Sequence, residues 1–292
     1  SGNCVKTPGQ GKTGSSIPAM TDLIMTRLFL VLCFSAATAA AGEAVITAGN
    51  KSLPMPGESL RFNGHDAFVI MPPGAGTGTP WVWYAPTLSG LPEEREQWMF
   101  ERFLKAGVAI AGIDVGESYG SPKGRATYAA FHRYLVEHRR LAKRPCLLAR
   151  SRGGLMLYGW AAENPEKVSG VAGIYPVCNL TSYPGLERAC GAYGLSAAQL
   201  KADLAKHNPV DRLAPLAKAK VPIHHIHGDT DATVPLEANS GPLAKRYRQL
   251  GGTMTLEVVK GGGHDVRPHW FRSQPLVDFV ISCATASKES QS

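Results

Sequence analysis

The chain has 292 residues, 44% of them hydrophobic and 18% charged, which is enough apolar material for one large buried core and excludes a disordered or fibrous chain. Its formal net charge of +8 is spread along the sequence. With no basic stripe interleaved with aromatics, that charge argues for general surface chemistry that could favour acidic substrates, and against a nucleic-acid partner.

Residues 1–24 read as an upstream extension or artefact, with Met25, or alternatively Met20, as the expected start. Within them Gly9-Gln10-Gly11-Lys12-Thr13 imitates the end of a phosphate loop, but Lys6 stands where the first glycine is needed and no strand precedes it. Residues 25–41 read as a signal peptide: Arg27, an apolar run from Leu28 to Phe34, then small residues with Ala-x-Ala cleavage sites. The run is short of the ~20 residues that span a bilayer, so the expectation is a secreted or periplasmic protein without a stable membrane anchor. The catalytic domain is expected over residues 42–292.

In chain order, Ala44–Thr47 and Ala67–Met71 read as outer strands, Pro80–Ala85 as a strand, Glu93–Ala106 as a helix, and Val108–Val115 as a strand buried on both faces. A helix is expected from Arg125 to Leu141, a strand over Pro145–Ala149, a helix over Gly153–Glu163 and a strand over Val168–Tyr175. After an insertion at about residues 178–220, read as a small cap, come strand Val221–Ile226, helix Leu236–Leu250, strand Thr253–Val259 and a last helix near Phe271–Ser282. Such alternation implies right-handed crossovers, a mostly parallel sheet with helices on both faces, and a site beyond the carboxyl ends of the strands.

Three segments at such ends carry the chemistry. The run Cys146-Leu147-Leu148-Ala149-Arg150-Ser151-Arg152-Gly153-Gly154 takes a buried strand through a serine between small residues into a helix. His227-Gly228-Asp229-Thr230-Asp231-Ala232-Thr233-Val234-Pro235 follows a later strand, and Gly261-Gly262-Gly263-His264 the next. The first resembles the G-x-S-x-G nucleophile elbow of the α/β-hydrolase family with Ala149 for the first glycine, and the second its acid loop. The order Ser, Asp, His is that of the fold. The resemblance spans about Pro80 to Cys283 and implies an α/β-hydrolase fold with Ser151 as nucleophile, His264 as base and Asp231 as its carboxylate partner. Asp229 is the competing carboxylate, with a turn-stabilising role as its plainer reading.

By the same resemblance the oxyanion donors are the N–H of Arg152 and one from Thr87 or Leu88, Pro86 having none. Glucuronoyl esterases also carry an arginine directly after the nucleophile, so the resemblance implies that Arg152 supplies an extra oxyanion donor or holds a substrate carboxylate. The plainer alternative is that Arg150 and Arg152 pair with acids such as Glu117. Taken at face value, the two arginines make the pocket electropositive. Tyr119 and Trp270 are expected to line it, whereas Trp81, Trp83, Trp98, Tyr158 and Trp160 are read as packing.

This implies an exported esterase, needing no metal or organic cofactor, acting on small-molecule or glycan-linked esters. A prolyl oligopeptidase-like peptidase and a silent hydrolase-fold binding protein are the alternatives, and the prolyl oligopeptidase and dienelactone hydrolase families share the pattern. His224, His225 and His227 are read as a strand and loop rather than a zinc site, since neighbours on a strand point to opposite faces. Export permits disulfides. Cys178 and Cys190, bracketing one loop, are the expected pair, and Cys146 on a buried strand is expected to be a packed thiol. The sequons at Asn50 and Asn179 matter only in a eukaryotic secretory pathway.

Overall fold

The computed structural model describes residues 44–289. The upstream extension and the signal segment lie outside the described residues. The elements run β1 (Ile46–Ala48), β2 (Glu58–Phe62), β3 (His65–Ile70), β4 (Trp81–Ala85), α1 (Glu94–Lys105), β5 (Ala109–Ile113), α2 (Pro122–Glu137), β6 (Cys146–Arg150), α3 (Gly153–Ala161) and β7 (Gly170–Ile174). The insertion then supplies α4 (Leu186–Tyr193), α5 (Ala197–Ala202) and α6 (Ala214–Lys218). It is followed by β8 (Ile223–Gly228), α7 (Ser240–Gln249), β9 (Met254–Val259), α8 (Pro268–Phe271) and α9 (Gln274–Glu289).

One sheet has the order β1-β2-β3-β5-β4-β6-β7-β8-β9. Strands β1 to β3 are antiparallel, β3 joins β5 antiparallel, and every pairing from β5 through β9 is parallel. The central strands β4, β5, β6 and β7 are buried along their whole length, which is why they read as unbroken apolar runs. Alternation sorts their side chains. Trp81, Trp83, Leu147 and Ala149 join the core under α2, α3 and α7, while Val82, Tyr84, Cys146 and Leu148 join the core under α1 and α9.

Some boundaries differ from the sequence reading for identifiable reasons. Strand β2 was not expected, because Glu58 to Phe62 is charged on its outer face. It pairs with β3 through Asn63-Gly64, whose φ values of 49° and 82° make a tight two-residue hairpin turn. Helix α2 starts at Pro122 instead of Arg125, with proline in the first turn and the Ser121 hydroxyl accepting the Gly124 N–H. Helix α7 begins at Ser240, after the chain breaks at Asn239 (φ −124°, ψ −94°).

The expected Cys178–Cys190 disulfide is not formed, and both are free thiols. Cys178 is fully buried beside the Pro176 carbonyl, whereas Cys190 lies half-buried on α4 with its thiol turned to the Glu187 carbonyl. Cys146 is a packed, buried thiol. The insertion packs Leu180, Ala189 and Leu200 against Leu155 at the start of α3 and against Val234, so it buttresses the loop after β8.

Candidate active site

Ser151 follows β6 at φ 49°, a left-handed conformation that a side chain rarely adopts. The turn is forced by close packing. A Cβ on Gly153 would lie 2.1 Å from the Ala85 carbonyl oxygen, and one on Gly154 would lie 2.3 Å from that of Val177. Ser151 is held from both sides, its N–H donating to Ile174 and its carbonyl accepting from Val177.

The serine Oγ lies 2.9 Å from His264 Nε2, and His264 Nδ1 lies 2.8 Å from Asp231 Oδ2. A carboxylate accepts, so Nδ1 carries the hydrogen and Nε2 is left to receive the serine proton. The other oxygen of Asp231 accepts the N–H groups of Thr233 and Val234 at 3.0 and 2.8 Å. Burial disfavours its charge, but the imidazole of His227 close by and hydrogen bonds from His264 and Val234 outweigh that and hold Asp231 below the ordinary carboxylate range. Asp229 does something else. Its Oδ1 accepts the Gly261 N–H at 2.7 Å, and with Thr230, which donates twice to the Gly262 carbonyl, it ties the loop after β8 to the loop after β9.

A recess of about 160 Å³ opens on Ser151 and His264, lined also by Pro86, Leu91, Arg150, Arg152, Tyr175, Asp265 and Val266. Tyr175, at φ 37°, lays its ring 4.4 Å from the His264 ring and is backed edge-on by Trp270. Trp270 itself is fully buried, its indole N–H donating to Asp265. It props the wall and does not line the recess as expected. Neither does Tyr119, whose carbonyl is taken by the Tyr193 hydroxyl. No residue of the 178–220 insertion lines this recess.

The arginines do not make it electropositive. By strand alternation Arg150 points to the α1 face, where it donates to Glu93 and Glu96 at 2.9 and 2.7 Å. Glu96 is wholly buried and also accepts the Tyr84 hydroxyl and the Glu93 N–H, closing the capping box of α1. Arg152 pairs with Glu117 and leans toward the Tyr183 ring. Both guanidinium charges are therefore compensated.

The N–H groups of Arg152, Thr87 and Leu88 carry no hydrogen bond to another of the described residues. The carbonyls of Thr87 and Leu88 are both taken by Lys51 Nζ, at 3.0 and 2.9 Å, and the loop reaches the recess at Pro86. Among the described residues, no group of three or more His, Cys, Asp or Glu side chains is placed to hold a metal ion.

Tyr175, Glu93, Glu96 and Lys51 join the site without having stood out in the sequence as site residues. Only Tyr175 carried a signal, as the residue just past the carboxyl end of a central strand.

Solved structures share this architecture. Porphyromonas gingivalis dipeptidyl peptidase 4 superposes with a TM-score of 0.61 at 12% identity, over 82% of this chain and 35% of that one. The S-formylglutathione hydrolase of Agrobacterium tumefaciens gives 0.59 at 15% identity, over 84% and 98%. Mycobacterium tuberculosis MPT51 gives 0.59 at 13%, over 79% and 99%. The chain has the α/β-hydrolase fold. It spans about a third of the length of the P. gingivalis peptidase and nearly the whole of the other two. No family model matches the sequence, and no curated protein matches it.

Proposed function

We propose that this α/β-hydrolase-fold chain is an exported serine hydrolase that cleaves carboxylic esters through an acyl-serine intermediate. The observation that carries the reading is the unbroken relay from Ser151 Oγ to His264 to Asp231, with the serine on a strained elbow. In this reading His264 Nε2 takes the serine proton as Oγ attacks the carbonyl carbon, and the imidazolium returns it to the leaving alkoxide. The Arg152 N–H, joined by Thr87 or Leu88, receives the developing oxyanion. Water then repeats the cycle on the acyl enzyme. The substrate expected is a small-molecule or glycan-linked ester.

An ester is favoured over a peptide by the state of Asp265, the acid that lines the recess, and of the acids paired with its two arginines. Glu93 and Glu96 are engaged by Arg150, Glu117 by Arg152 and Asp265 by Arg267, which leaves none of them to hold a peptide amino terminus. Export rests on the Thr26–Ala41 segment, and N-terminal sequencing of secreted protein beginning near residue 42 is the outcome that supports it.

A fluorophosphonate probe is expected to label the wild type and not Ser151→Ala. A panel of p-nitrophenyl esters, acetylated or feruloylated sugars, uronate esters and peptide amides then assigns the class. Turnover of amides alone would move the reading to a peptidase, and a folded wild type that neither labels nor turns over would move it to a binding protein.

A further inference from the structure

Behind Asp231 lies a second set of buried polar groups that the proposed chemistry does not use. Tyr158 on α3, His225 and His227 on β8, and Ser240 at the start of α7 are each at most 1% exposed. They form one chain. The Tyr158 hydroxyl lies 2.8 Å from His225 Nε2, and Ser240 Oγ lies 2.9 Å from His225 Nδ1 and 2.8 Å from His227 Nδ1. His227 Nε2 lies 2.8 Å from the Val234 carbonyl and 3.6 Å from Asp231 Oδ2.

Counting hydrogens fixes the direction of every bond. A carbonyl oxygen only accepts, so His227 Nε2 bears hydrogen. If the Ser240 hydroxyl donates to His227 Nδ1, then His225 Nδ1–H donates to Ser240, and His225 Nε2 accepts from Tyr158. Every hydrogen then has an acceptor and neither ring is charged. The reverse order makes His227 an imidazolium in a dry interior and leaves the buried Tyr158 hydrogen with nothing to bond, and both are costly. Burial, with His227 and His224 nearby, also pushes the His225 pKa well below its usual value, in keeping with a neutral ring.

We infer that this relay is a tautomer lock: Ser240, itself oriented by His225 and Tyr158, keeps His227 in the Nε2–H form that faces Val234 and the catalytic carboxylate. The inference rests on the triad reading of Asp231. In the other neutral tautomer, His227 would turn a lone pair toward the Val234 carbonyl and Asp231, and the loop carrying the acid would be pushed away from His264. His227, Ser240, His225 and Tyr158 are thus positioning residues, acting on the reaction through Asp231.

The test uses the full chain labelled with ¹⁵N-histidine, its imidazole resonances assigned by substitution. Wild type is expected to show His227 with hydrogen on Nε2 alone and His225 with hydrogen on Nδ1 alone. In Ser240→Ala the His227 signal should move toward a mixture of tautomers. On the best ester of the panel, kcat should fall roughly three- to tenfold, the worth of one net hydrogen bond, with KM unchanged. Ser240→Thr, which keeps the hydroxyl, should restore both, and Tyr158→Phe should loosen His225 first. A wild-type His227 that is an imidazolium or carries hydrogen on Nδ1 overturns the inference whatever the kinetics. So does a Ser240→Ala protein with unaltered tautomers and kcat. Expected tautomers in a wild type that fails to react with fluorophosphonate overturn the triad reading instead, and the catalytic role of the lock with it.

Discussion

Replacing Arg150 with methionine separates a structural countercharge from a substrate handle. Arg150 stands directly before Ser151, but its side chain is 11% exposed and Glu96, which it meets at 2.7 Å, is 0% exposed. Methionine would keep the stem beside Phe271, over whose ring the guanidinium lies, and remove the charge. Glu96 would retain the Tyr84 hydroxyl and the Glu93 N–H but lose the cation that balances it. Breaking a buried pair by removing one partner costs about 3–5 kcal/mol. At about 2–4 °C per kcal/mol for a domain of this size, that is a fall in Tm of roughly 6–20 °C. Adding Glu96→Gln removes the stranded charge, so the double variant should recover at least about 1 kcal/mol relative to the sum of the single changes. Urea denaturation of the four proteins measures this directly. A loss below about 1 kcal/mol for Arg150→Met, or single costs that add without coupling, would refute the reasoning. A selective rise in KM for anionic esters without loss of stability would return Arg150 to the substrate.

Gly153→Ala drives a Cβ to within 2.1 Å of the Ala85 carbonyl. It should cost about 1–3 kcal/mol and slow fluorophosphonate labelling at least tenfold, read from denaturation and labelling time courses. Asp231 is held below the ordinary carboxylate range in the folded protein, so its charge stabilises the fold above that range and ceases to do so as pH falls through the lowered value. The stability gap between wild type and Asp231→Asn should therefore be widest near neutrality and narrow on acidification in pH-resolved denaturation. With no bridge between Cys178 and Cys190, brief alkylation followed by mass mapping should modify the half-buried Cys190 well before the buried Cys178 and Cys146. A Cys178–Cys190 peptide lacking two hydrogens would contradict this.

The sheet, and the convergence of Ser151, Asp231 and His264 at its carboxyl end, are legible because they depend on local pattern. Strands buried on both faces, such as β4 and β6, spell themselves out; Ser151 follows β6 and Asp231 follows the equally buried β8, while His264 follows the edge strand β9. What stayed hidden depends on which face meets which. Arg150 and Glu96 are 54 positions apart, and nothing local says that the strand end and the first turn of α1 face each other. The nearness of Trp270 to His264 in sequence suggests a pocket residue, yet α8 turns it inward behind Tyr175. Strand β2 was lost because a half-solvated strand alternates weakly, although the Asn63-Gly64 turn beside it was the stronger clue.

The ties between the loops after β8 and β9 have a mechanical consequence. A Cβ on Gly228 would lie 2.0 Å from the Gly262 carbonyl oxygen, and Asp229 and Thr230 stitch the same two loops together. The loops that carry Asp231 and His264 are therefore held directly to each other, while the Ser151 turn is held by its own packing against β4 and β7. On the proposed reading, thermal loosening or a bulky substrate should part Ser151 from His264 before it parts His264 from Asp231.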